Sequence, residues 1–141
     1  MRSVVRRFPG LVSRLERTDW GSRFSVAGDV NQKTVGGLMA SVIGDMAQAP
    51  PLAALCDYRG ADVCVAARNF VAASRKAGAP ATWPTALLVR PEHLSVWRDY
   101  AWLQGQSGNL KGVFTHAEEA ERWAAEMAAI RAAQARHLRR A

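Results

Sequence analysis

The chain has few of the residues that mark a disulfide-stabilised, metal-binding or membrane-spanning protein. Its 141 residues include two cysteines, Cys56 and Cys64, and three scattered histidines. Two thiols make no disulfide framework, and the histidines lack the spacing of metal ligands, so we expect a cytoplasmic protein without cofactor or metal. No apolar run has the length of a transmembrane helix. Charged residues interrupt the N-terminal segment, which argues against a signal peptide.

Acidic residues are scarce relative to basic ones. The formal net charge is +7, carried by sixteen arginines and three lysines. The segment through Arg23 and the residues 131–141 are locally basic, but neither interleaves aromatic residues with its charges as a single-strand-binding face does. The charge therefore leaves non-specific binding of nucleic acid or of an anionic surface as one alternative function.

Length and composition predict a single globular domain. The chain is 49% hydrophobic and 22% charged, which is ordinary for a protein with a packed core. We assign residues 1–141 to one domain, with a core over about 3–130 and a basic helix end over about 131–141.

Hydrophobic periodicity predicts strands followed by alternating helices and strands. Strands are expected at 3–8, 11–15, 23–27, 52–58, 85–89 and 110–114, and helices with apolar stripes over 35–46, 66–77, from 90–92 to about 103, and 117–139. The first two strands also fit one strand and an irregular segment, so we predict about five strands and about four helices. Loops are expected at 59–62, at Gly78-Ala79-Pro80 and at 104–109.

The order of these elements predicts the architecture. Strands that are joined through helices pair in parallel with right-handed crossovers, whereas an N-terminal hairpin pairs antiparallel. The fold class is therefore α/β, with a single mixed β-sheet that is covered by helices.

Four segments, in this order and spacing, resemble the STAS-like group, which includes anti-sigma-factor antagonists and many bacterial proteins of SpoIIAA type. They are Gly28-Asp29, LCDYRGAD at 55–62, TALLVRPEH at 85–93 and VFTHAEEAERW at 113–123. The resemblance implies a compact SpoIIAA-like mixed sheet and a non-enzymatic regulatory role with a protein partner.

The chain departs from this group at one functional motif. In the antagonists, the loop after the central strand carries a serine that a partner kinase phosphorylates. The corresponding residues 57–67, DYRGADVCVAA, contain no Ser or Thr. A phosphorylation switch of that kind cannot operate at this position, so the resemblance bears on the fold more than on sigma-factor control.

Polar residues follow the predicted central strand. Asp57, Arg59 and Asp62 stand where open α/β sheets place binding sites, and Arg59 suits an anion or a partner carboxylate. The alternative is that both aspartates cap local structure while Arg59 is solvated.

Aromatic residues gather around the third helix. Trp83, Trp97, Tyr100 and Trp102 fit a small hydrophobic pocket, as in a ligand carrier or an enzyme, but we expect Trp97 and Tyr100 to belong to the core. Trp102 is the candidate for an exposed contact.

The last helix exceeds the length that covers one sheet edge. Its spacing predicts a seam formed by Ala120, Trp123, Met127, Ile130 and Gln134, with the first half on the sheet. The basic second half suits a homodimer, an acidic partner or a frayed end. Cys64 precedes a helix start, and we expect it to be a buried thiol.

Overall fold

A computed structural model describes residues 3–77 and 83–140 as a six-stranded sheet with four α-helices. The elements are β1 (Ser3–Phe8), β2 (Leu11–Arg17), β3 (Ser22–Asn31), α1 (Val35–Gln48), β4 (Ala54–Cys64), α2 (Ala67–Lys76), β5 (Thr85–Leu88), a 3₁₀ turn (Pro91–His93), α3 (Leu94–Gln106), β6 (Lys111–Phe114) and α4 (Ala117–Arg140). The predicted α/β class is confirmed, and the strand count is one higher than predicted. The predicted loop Gly78-Ala79-Pro80 lies outside the described residues.

The strands lie in the sheet in the order in which they occur in the chain. β1, β2 and β3 pair antiparallel, and β3 to β6 pair in parallel. The N-terminal hairpin turns at Pro9-Gly10, where Gly10 has a φ of 75°. The two-strand interpretation of residues 3–17 is therefore the correct one, and the sheet is mixed as predicted.

Helices cover both faces of the sheet unequally. α1, α2 and α3 bury the larger core on one face, in which Phe24, Leu38 and Phe70 are almost completely enclosed. α4 covers β4, β5 and β6 on the other face, where its alanines meet Leu55 and Leu88. On that face Phe114 and Trp123 pack with ring centroids 5.8 Å apart.

The buried stripe of α4 differs from the predicted seam. Ala120, Ala124 and Ala128 are the buried residues of this helix, whereas Trp123 is half-buried and Ile130 is exposed. Side chains four residues apart lie on one helix face, and methyl groups allow the helix axis to approach the sheet closely. The first half of α4 packs on the sheet as predicted, but small residues form the contact.

Two predicted loop boundaries are wrong. Residues 59–62 continue β4, which runs to Cys64, because β3 also extends to Asn31 and pairs with them. α3 continues through Gln106 before the turn that contains Gly108, whose φ is 82°. Both segments carry glycine and polar residues that are typical of loops. Pairing with β3 overrides that preference in β4, and in α3 the buried Gln104 donates to the Tyr100 hydroxyl.

Candidate binding sites

The central strand β4 extends beyond its neighbour β5 and carries an irregularity where it does so. β5 pairs only with residues 54–57, and the pairing of β3 with β4 shifts between Ser25 and Ala27. Val26 of β3 there stands opposite two residues of β4, Tyr58 and Arg59, which is a β-bulge. Gly60 fits because a Cβ at this position would lie 2.9 Å from the Val26 carbonyl oxygen.

Asp57 and Arg59 form a pair on this bulge. Arg59 donates from its backbone N–H and from Nε to Asp57 Oδ1, both at 3.0 Å, and Nη2 lies 2.9 Å from Oδ2. The hydrogen bond with Asp57 raises the pKa of the Arg59 guanidinium above its ordinary value. The Arg59 side chain remains 48% exposed, so the pair is ordered and open to solvent.

Arg90 completes this surface from the end of β5. Its Nε donates to the Arg59 carbonyl oxygen over 2.6 Å, on the edge of β4 that β5 leaves unpaired. We call Asp57, Arg59 and Arg90 the Arg59 surface. Sequence reasoning missed Arg90 as a site residue, although its position directly after a buried strand was a usable signal.

The other two predicted site residues lie elsewhere. Asp62 is exposed within β4 and stands opposite Asp29 of β3, about 16 Å along the strand from Asp57 at the usual rise per residue. Trp102 lies on the outer face of α3 with 64% of its surface exposed. The structure thus joins Asp57 with Arg59 and separates both from Asp62 and Trp102.

The aromatic residues near α3 form part of the core. The rings of Tyr58 and Trp97 have centroids 4.3 Å apart, and those of Phe70 and Trp97 are 4.7 Å apart. Trp97 is 1% exposed and Tyr100 is 5% exposed. The expectation that Trp97 and Tyr100 are core residues is confirmed.

A cavity of about 360 Å³ opens beside this core, between α1, the end of α2, α3 and the amino ends of β5 and β6. We call it the interior cavity. Its apolar wall is formed by Met39, Val42, Ile43, Met46, Trp83 and Leu87. Trp83 and Tyr100 of the predicted aromatic pocket line it. The wall formed by α1 was not predicted, because it comes from a segment that is far away in the chain.

Polar groups line one side of the interior cavity. The Tyr100 hydroxyl lies 3.3 Å from Ser74 Oγ and accepts from Gln104 Nε2 at 3.2 Å, and Gln104 Oε1 accepts from Asn109 Nδ2 at 2.9 Å. Burial raises the pKa of the Tyr100 hydroxyl. This hydrogen-bonded chain fixes the polar wall in one arrangement.

Lys111 stands where the polar and apolar walls meet. It is the first residue of β6, and its Nζ donates to Thr85 Oγ1 over 3.0 Å. Burial lowers the pKa of its ammonium group from 10.5 to about 8. None of the ion pairs formed by residues 3–77 and 83–140 includes Lys111.

The two cysteines have different environments. Cys56 lines the interior cavity, and burial raises the pKa of its thiol to about 12, which keeps it protonated and unreactive. Cys64 is exposed at the end of β4, so the expectation of a buried thiol there is wrong. In the part of the chain that the structure describes, no three His, Cys, Asp or Glu side chains are grouped to hold a metal ion.

Among the residues that the structure describes, no helix is both long and apolar enough to cross a bilayer.

Solved structures identify the fold. The chain is similar to an anti-sigma factor antagonist from Mycobacterium paratuberculosis, with 18% identity, a TM-score of 0.56, and coverage of 81% of this chain and 93% of that one. It is equally similar to an uncharacterised protein with a SpoIIAA-like fold from Shewanella loihica PV-4, with 18% identity, a TM-score of 0.55, and coverage of 82% and 94%. No family model and no curated protein matches the sequence. The chain therefore has a STAS or SpoIIAA-like fold, as the sequence resemblance implied.

Proposed function

We propose that the protein is a non-enzymatic, cytoplasmic regulatory module that binds a protein partner through the Arg59 surface. The observation that carries this proposal is the pair of arginines held at the end of β5 by Asp57 and by the Arg59 carbonyl oxygen. A fold shared with an anti-sigma factor antagonist supports a regulatory role. Asp62 extends the proposed contact along β4, and Trp102 offers a second contact on α3.

The chemistry of the surface favours an acidic partner segment. Asp57 occupies one edge of the Arg59 guanidinium, and Arg90 uses only its Nε among the hydrogen bonds of the described residues. The remaining N–H groups suit a carboxylate, which two parallel hydrogen bonds hold in a fixed orientation. The Arg59 and Arg90 side chains are already held in place by these hydrogen bonds, so less conformational entropy is lost when a partner binds.

Capture from a lysate of the source organism tests the proposal. The variant Arg59→Glu/Arg90→Glu reverses both charges, and Arg122→Glu is the control because Arg122 is exposed on α4, away from both proposed contacts. We expect a photo-crosslinker at position 62 to give one discrete adduct with the parent protein and the control, and none with the double variant. Equal capture by all three proteins would contradict the proposed surface.

We propose further that the last helix forms a homodimer. Arg131 Nη1 donates to the Leu52 carbonyl oxygen over 2.7 Å, which ties α4 to the domain at that point. Beyond the sheet, Ile130 is 49% exposed and Leu138 is 73% exposed. Positions i and i+8 belong to one stripe of a helix, so Ile130 and Leu138 can both face the same helix of a second copy.

Sedimentation equilibrium tests the dimer. Ile130→Glu/Leu138→Glu is expected to shift the parent dimer to monomer, while Ala129→Glu on another face of α4 leaves the dimer intact. A monomeric parent protein at millimolar concentration would refute the dimer, but it would leave the Arg59 surface unaffected.

A further inference from the structure

The formal charges that line the interior cavity are all positive. Its charged lining residues are Lys111, which is half-buried, and Arg75, which is exposed, and no aspartate or glutamate is among the described residues that form it. Water can solvate the Arg75 guanidinium, but burial of the Lys111 ammonium beside apolar side chains is costly unless an opposite charge pairs with it. The described residues of the cavity supply no such anion.

The Lys111 ammonium has donor capacity for such an anion. An ammonium group carries three N–H donors, and Thr85 Oγ1 is the acceptor that the described residues provide. At neutral pH the group is still mainly protonated, because the pKa that burial lowers remains near 8. Lys111 therefore offers a positive charge and unused N–H groups to a bound molecule.

The opposite wall selects an apolar body. Met39, Val42, Ile43 and Met46 of α1 face Leu87 across the cavity, and methionine side chains adapt to the shape of their neighbours. At about 30 Å³ for each non-hydrogen atom, as in liquid water, the cavity of about 360 Å³ holds roughly 12 such atoms. Phosphate-rich ligands are poorly suited, because most of their charge would lie against carbon.

We propose that the interior cavity binds an apolar monocarboxylate of about 12 non-hydrogen atoms, with its carboxylate on Lys111 and its apolar part against Met39 and Met46. The site is independent of the Arg59 surface, which lies at the carboxyl end of β5, whereas Lys111 and Thr85 lie at the amino ends of β6 and β5. An aliphatic acid and an aromatic acid share this chemistry.

Titration calorimetry with three probes of one chain length tests the charge selection. Decanoate, decan-1-ol and decylammonium have nearly equal size and differ in the head group, and each is used below its micelle concentration at pH 7. We expect decanoate to bind one-to-one and at least about tenfold more tightly than the alcohol, since a hydrogen bond to a charged group is worth that much. Decylammonium should not bind. Comparison of decanoate with 2-naphthoate shows whether the aliphatic or the aromatic acid fits better.

Variants locate the bound carboxylate. In Lys111→Met the preference for decanoate over decanol should disappear while decanol still binds, and decanol binding also shows that the variant is folded. Lys33→Met, which removes an exposed lysine, should leave all affinities unchanged. The proposal is wrong if no carboxylate binds the parent protein, if the three head groups bind alike, or if Lys111→Met keeps the preference for decanoate.

Discussion

Replacing Lys111 by methionine should stabilise the protein at neutral pH. The side chain lies at the cavity wall, and burial lowers the pKa of its ammonium from 10.5 to about 8. A lysine whose pKa is lower in the folded state opposes folding at every pH at which the unfolded chain is protonated. The chain folds despite this charge, and methionine removes it while keeping a similar shape.

The size of the effect follows from the two pKa values. The difference between 10.5 and about 8 is about 2.5, which corresponds to about 3 kcal/mol at 1.36 kcal/mol for each pK unit. Loss of the hydrogen bond to Thr85 offsets about 1 kcal/mol. Lys111→Met should therefore raise the free energy of unfolding by about 2 kcal/mol at pH 7.

The dependence on pH separates this effect from packing. Below pH 8 the full cost of the buried ammonium is present in the parent protein. Between pH 8 and pH 10.5 the unfolded chain binds more protons than the folded one at this site, so the parent protein gains stability as pH rises. The advantage of the variant should therefore fall by about 3 kcal/mol across that interval, whatever the methionine contacts.

Urea denaturation at several pH values between 7 and 10.5, followed by tryptophan fluorescence, measures this difference. Cys56, Tyr58 and Tyr100 also have raised pKa values. Loss of Lys111 raises the pKa of Cys56 further, so these groups stay protonated in both folded proteins over most of this range and contribute little to the difference. Lys33→Met is the control and should show a flat difference. A Lys111→Met variant that differs from the parent by the same amount at every pH would refute a buried, charged lysine.

Other predictions concern backbone and thiols. Gly28→Ala should lower the free energy of unfolding by at least about 2 kcal/mol, because φ is 112° and a Cβ would clash with the Gly10 carbonyl oxygen. Gly44→Ala should raise the free energy of unfolding by about 0.5–1 kcal/mol, because Gly44 lies in an open position of α1. Urea denaturation measures both, and equal effects would contradict the assignment of φ. Iodoacetamide should modify Cys64 at least about a hundredfold faster than Cys56, because the thiol pKa of Cys56 is raised to about 12. Peptide mass spectrometry measures the two rates, and equal rates would mean that Cys56 is open to solvent.

Local patterns in the sequence predicted the elements that depend on local chemistry. Alternation identified β1 and β2, and the three-and-four spacing identified α1, where Asn31 Oδ1 accepts from the Lys33 and Thr34 N–H groups just before the helix. Patterns failed where tertiary contacts decide. Residues 59–62 resemble a loop, yet pairing with β3 extends β4 through them.

The sequence predicted a pocket near α3 through Trp83 and Tyr100, but not the α1 wall or Lys111 of the interior cavity. Met39 and Lys111 are far apart in the chain, and only the crossovers between parallel strands bring them together. A lysine at the first position of a short strand gives a weak signal, because most such lysines are solvated. In α4, tryptophan and methionine dominated the apparent periodicity, whereas the alanines Ala120 and Ala124 form the buried contact.

The strands lie in the sheet in chain order, which keeps both proposed sites within one central part of the sequence. This matters for engineering the protein and for how its sequence can change. Every residue of the Arg59 surface and of the interior cavity lies between Met39 and Lys111. The mostly exposed β1, at one edge of the sheet, and the second half of α4 contribute nothing to either. Labels attached to those two segments would leave both proposed sites uncovered, and sequence changes there are expected to alter solubility or assembly without touching either site.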